Sequence, residues 1–125
     1  MKDSIAHQHI LAEDWRRELQ FFRDELVILR KRLDEVAARN TSKDIMVEVE
    51  HYENKFKVMA QDYDELIHDV GVMETSLKGA AVSKPDFINT KMVDTNGRVE
   101  ALMRIVSSDF YETRHSFYEF LVKVL

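Results

Sequence analysis

From Ile45 to Leu77 the apolar residues Ile45, Val49, Tyr52, Phe56, Met59, Tyr63, Leu66, Val70, Met73 and Leu77 follow one another in alternating steps of four and three, without a fault. A repeat averaging 3.5 residues is that of a helix whose apolar stripe faces another helix, whereas a strand would scatter side chains so spaced over both its faces. The central part of the chain is therefore read as one long amphipathic helix. It cannot bury its stripe alone, so other helices must cover it.

The flanking segments supply them. Trp15, Leu19, Phe22, Leu26, Leu29, Leu33 and Val36 keep the same alternation ahead of the central run. Behind it come Ile88, Met92, Thr95, Val99, Leu102 and Val106, and then a change of phase to Phe110, Thr113, Phe117, Leu121 and Val124. That change reads as a stutter, which would locally unwind a supercoil. No stretch alternates with period two between turn residues, so no strand is expected.

With three Gly and one Pro in 125 residues, helix breaks are few and their positions informative. In Arg39-Asn40-Thr41-Ser42-Lys43-Asp44, Asn40 suits a left-handed C-terminal position, Thr41 or Ser42 an N-cap, and Asp44 completes a capping box with Thr41. The second break opens on Gly79 as a helix-ending glycine and closes on Ser83 as an N-cap before Pro85. The expected fold is all-α: three long antiparallel helices in an up-down-up, coiled-coil-like bundle forming a single domain over residues 1–125. The helices cover about 4–39, about 42–78 and about 86–124, with Asn96-Gly97 as a kink or loop in the third. This outline resembles the arrangement of spectrin-type repeats, down to a Trp in the first helix, Trp15. The likeness is one of architecture and rests on no motif.

Composition narrows the function classes. Without cysteine there is no disulfide framework, thiolate metal site or cysteine nucleophile. The first residues lack the apolar run of a signal peptide, and no uncharged stretch approaches the ~18 residues of a membrane span, so a cytoplasmic protein is expected. Residues 40–79 hold four basic against nine acidic groups and so carry the whole net charge of −5. An acidic middle helix disfavours nucleic acid and anionic membrane, which are bound through Lys and Arg. Through Glu48, Glu50 and Asp62 it could instead attract a basic protein. Arg16, Arg23 and Arg30 recur every seven residues beside the first stripe, and the short turn is expected to set Arg30 near Glu53 and His9 near Glu74 as flanking pairs.

Two Glu-x-x-His pairs, Glu65/His68 and Glu112/His115, have the spacing of di-iron carboxylate helices. Their phase sets them outward, so they are metal candidates only at a surface or a subunit interface, along with His7, His9 and His51. Ser107-Ser108-Asp109 lies within a helix, and neither a nucleophile elbow nor a glycine-rich phosphate loop is present. No catalytic activity and no cofactor are expected. What remains is apolar surface beyond the needs of the stripes. Phe21 and Ile28 lie seven apart on a face of their own with Val27 beside them, Val58 and Val72 repeat this on the second helix, and the C-terminal aromatics leave hardly any side polar. Three helices are not expected to enclose that end. Phe21, Ile28, Phe117, Tyr118 and Leu121 are therefore the candidate interface of a homo-oligomer, most simply a dimer, or of a contact with another helical protein.

Overall fold

The computed structural model describes residues 5–83 and 90–125, with side chains given outside 80–91. It consists of α1 (Ile5–Arg39), α2 (Lys43–Ser83) and α3 (Thr90–Val124), with no strand among the described residues. At 1.5 Å per residue these are rods of about 50 to 60 Å. Cross-helix contacts give their directions. Arg16 meets Glu74 and Arg23 meets Asp64, so α2 runs against α1. Tyr52 meets Ser116 and Arg98 meets Asp69, so α3 runs against α2 and beside α1.

The stripe of α2 lies in the core as its spacing predicts, with Val49 to Leu77 buried and only Ile45 at the edge. On α1 the buried series also reaches further toward the N-terminus, through Ala12, Gln8 and Ile5. On α3 the structure corrects the sequence reading. Asn96 and Met103 are buried, while Thr95 and Leu102 stand half-exposed. Met92, Asn96, Val99, Met103, Val106, Phe110, Thr113, Phe117, Phe120 and Val124 then keep steps of four and three throughout, so there is no stutter. The helix also runs unbroken across Asn96-Gly97.

The ends differ in detail as well. Helix α2 passes through Gly79 to Ser83, so neither residue plays the boundary role expected of it. No described glycine has a positive φ, and without that left-handed turn a glycine is only a weak helix residue. Pro85, Ile88 and the stretch from 84 to 89 lie outside the described residues. Asn40 does not turn left-handed either; its Nδ2 donates to the Val36 carbonyl at 2.8 Å, capping α1 by side chain. Ser42 takes the N-cap place, its carbonyl accepting from the Met46 amide at 3.0 Å.

The core is graded along its length. Near the α1–α2 turn it is aromatic, with Phe117 edge-on to Tyr52 and Phe56 at 5.1 Å from each. In the middle Phe22 stacks on Phe110 at 4.4 Å and leans on Tyr63 at 5.6 Å. Toward the other end it narrows to Ala12, Gln8 and Asn96. There Asn96 Nδ2 donates to Gln8 Oε1 at 3.0 Å, a buried polar pair between α1 and α3. Because each amide is the other's partner, the pair favours one alignment of the two helices. Asn96→Leu is expected to cost about 1–3 kcal/mol by stranding Gln8, whereas Gln8→Leu/Asn96→Leu returns to wild-type stability or above. Denaturant unfolding of the three proteins measures this.

Tyr63 also carries a buried polar group, and its hydroxyl finds no hydrogen-bond partner among the described residues. Burial, then the carboxylates of Asp109 and Asp62, push its pKa well above that of ordinary tyrosine. The fold therefore holds the neutral phenol. The stability this contributes is complete below the unfolded value of about 10 and is lost as pH rises above it. Tyr63→Phe is expected to match or slightly exceed wild-type stability at neutral pH, since the orphan hydroxyl goes. It should also lose less stability than wild type between about pH 10 and 11.5, which chemical unfolding at stepped pH would read.

Candidate interaction surface

The continuous stripes fix which residues flank each helix contact. On α1 the positions after the stripe, including Arg16 and Arg23, face α2 and pair with Glu74 at 3.5 Å and Asp64 at 3.2 Å. The expected His9 to Glu74 contact is displaced by two turns of α1, because Arg16 takes Glu74 while His9 bonds Glu13 at 2.9 Å. Arg30 and Glu53 do line one surface groove together. On the other flank of α1, Leu11, Glu18, Glu25 and Arg32 look toward α3, where Glu100, Ser107, Arg114 and Leu121 look back.

This α1–α3 side is the loosest of the three helix contacts. Where the core is thin, a groove opens between Leu11, Trp15 and Glu18 on α1 and Glu100, Met103 and Ser107 on α3. Trp15 is thus only partly buried, although its position belongs to the stripe. Further along, Phe21 (44%) and Ile28 (45%) on α1, and Tyr111 (46%) and Tyr118 (40%) on α3, are exposed at the level where Glu25 meets Arg114. Phe21 rests edge-on against Phe110 at 6.0 Å. Between these two levels Arg114 bridges the helices. It pairs with Glu25 at 3.1 Å and lies over the rings of Phe110 and Tyr111 at 5.3 and 5.1 Å. A guanidinium held by a carboxylate below and two rings beside it is a rigid polar pin inside an apolar patch.

Of the residues the sequence singled out for an interface, Phe21, Ile28 and Tyr118 are on this surface, and Phe117 and Leu121 are not. Phe117 is fully enclosed, and Leu121, on the flank facing α1, is buried with Phe120. Three helices do enclose Phe110, Phe117 and Phe120 of the C-terminal segment, because these lie on the sides of α3 that meet α1 and α2. Only Tyr118, Val122 and Leu125 are left outward there. Sequence reading counted Tyr111 among the C-terminal aromatics but left it out of the candidate interface, though its spacing of seven from Tyr118 is visible. It also missed the Glu25 to Arg114 bridge, which needs the alignment of α1 with α3 and leaves no local signal.

The metal candidates do not converge. Glu65, His68, Glu112 and His115 are all exposed, and His115 Nε2 lies 3.1 Å from Glu119 rather than beside Glu112. Among the described residues no three His, Asp or Glu side chains gather as a metal would require. Glu48, Glu50 and Asp62 of the acidic middle helix are likewise exposed. No helix among the described residues is long and apolar enough to cross a membrane.

Fold and surface together define a three-helix bundle with coiled-coil packing and one open, aromatic-bearing side. Comparisons with protein-family models, curated proteins and solved structures find no match.

Proposed function

We propose that this chain is a non-catalytic interaction module that self-associates, and that its working surface is the α1–α3 side. The reading rests on one observation: Phe21 and Ile28 on α1, and Tyr111 and Tyr118 on α3, are about half exposed and seven residues apart on each helix, around the bridge of Glu25 to Arg114. Single exposed apolar residues are ordinary on any protein, but large apolar residues repeated every seven positions on one side of two neighbouring helices support a contact surface. Arg and Tyr at its centre are residue types enriched where interfaces hold tightest.

Solution mass by size-exclusion chromatography with light scattering tests the reading. A dimer or larger species is expected at micromolar concentration, and Phe21→Glu/Ile28→Glu should reduce it to a monomer with unchanged helical content. A wild type that stays monomeric as concentration rises sinks the reading.

A further inference from the structure

Glu18 and Arg32 are among the charges on the α1–α3 side that form no ion pair with the described residues. Both lie on the α1 flank that looks toward α3, each seven residues from Glu25. Fourteen residues of straight helix hold them about 21 Å apart, so they cannot reach each other within one chain. A second copy laid antiparallel over the first brings them together. With a two-fold axis lying between the copies and passing over Glu25 of α1 and Arg114 of α3, Glu18 comes to face the partner's Arg32, and the symmetry makes the contact twice. The same axis sets Phe21 opposite the partner's Ile28 and Tyr111 opposite the partner's Tyr118, with Asp14, already held by its own Arg17 at 2.6 Å, opposite the partner's Glu35 at the ends.

We propose that the chain forms an antiparallel two-fold homodimer through its α1–α3 side, with Glu18 paired to the partner's Arg32 at both ends of the apolar patch. The proposal rests on the self-association reading above and supplies its geometry. A parallel dimer, with α1 over the partner's α3, matches the apolar stripes equally well. It would, however, set Glu18 against the partner's Ser107 and Arg32 against the partner's Leu121, leaving both charges unmet. The charges it would bring together, Asp14 with Arg104 and Glu25 with Arg114, are already paired within each chain: Asp14 with Arg17 at 2.6 Å, Arg104 with Glu100 at 3.1 Å and Glu25 with Arg114 at 3.1 Å. The size of the face is adequate. From Leu11 to Glu35 it runs about 36 Å along two helices roughly 20 Å wide, or about 700 Å² per copy, close to the ~800 Å² of a standard interface.

The test is a charge-reversal cycle on the full chain: wild type, Glu18→Arg, Arg32→Glu and the double variant, each followed over a concentration series by light scattering. Every single reversal creates two like-charge contacts, so dimer dissociation constants should rise about tenfold or more. The double reversal restores both pairs and should return to within about threefold of wild type. Rescue by the double variant also shows that the single variants lost a contact and not their fold. Single reversals without effect, or a double variant no better than the singles, overturn the antiparallel geometry. If dimerisation in that case still disappears with Phe21→Glu/Ile28→Glu, self-association stands on a different arrangement. A monomeric wild type removes both.

Discussion

Phe117→Glu is expected to abolish cooperative folding, while Tyr118→Glu, one residue along, leaves the bundle intact. Phe117 is fully enclosed against Tyr52, Phe56 and Phe120. A carboxylate there would have to ionise without a partner among rings or remain protonated at neutral pH. Either way several kcal/mol are lost from a total stability of only about 5–15 kcal/mol. One step along a helix turns the side chain by about 100°, and that is enough to bring Tyr118 to the surface at 40% exposure. Its replacement should change stability by less than about 0.5 kcal/mol, as surface substitutions usually do. Circular dichroism during thermal unfolding distinguishes the two. A cooperative, near-wild-type melt for Phe117→Glu would mean that the C-terminal aromatics are not core. The contrast also decides how the surface should be probed. Phe117→Glu/Leu121→Glu would lower the solution mass only by unfolding the chain, so Phe21, Ile28 and Tyr118 are the positions at which a change in mass reports an interface.

Helix α2 could be read from the sequence almost residue by residue because each of its stripe positions is large and apolar and the steps keep one phase from Ile45 to Leu77, even though Val58, Ile67 and Val72 lie beside the stripe. On α3 the same rule left two phases open. Leu102 and Met103 are adjacent and equally able to fill a core, and Thr95 competes with Asn96, a residue no hydropathy rule would place inside. Choosing Thr95 and Leu102 forced a stutter at Phe110. The alternative phase needs no stutter but demands a buried amide, and what makes that amide tolerable is Gln8, 88 residues away. The partner of a buried polar group is therefore information that only the fold supplies. The same holds for the surface. The spacing of Phe21 and Ile28 is visible along one helix, but the contact of Phe21 with Phe110 and of Glu25 with Arg114 depends on the alignment of α1 with α3. Misreading the C-terminal aromatics had another cause: a helix apolar on most sides can be buried on two of them, and sequence does not say how much of its circumference two neighbours will cover.

The centre of the core offers the other large effect. Phe22→Ala is expected to cost about 3–5 kcal/mol, because the ring is fully buried and little around it can collapse into the space. It touches all three helices' aromatic side chains at once: Phe110 stacked at 4.4 Å, Tyr63 at 5.6 Å and Phe21 at 6.0 Å. For a chain of this size that loss corresponds to a fall in Tm of roughly 10–20 °C. Phe110→Ala should cost a similar amount, since the two rings face each other. The double variant should then lose less than the sum by about 0.5–1.5 kcal/mol, the part contributed by ring-on-ring contact beyond area burial. Phe21→Ala serves as the comparison. Its ring touches Phe22 and Phe110 from outside and is 44% exposed, so its loss should cost less than about 1.5 kcal/mol while weakening self-association. Denaturant unfolding at a concentration below that of dimer formation measures the intrachain terms alone, since any association would add apparent stability by mass action. Additive losses at Phe22 and Phe110 would mean that the stacked pair contributes through burial only. A Phe21→Ala loss as large as that of Phe22→Ala would place Phe21 in the core and remove it from the proposed contact surface.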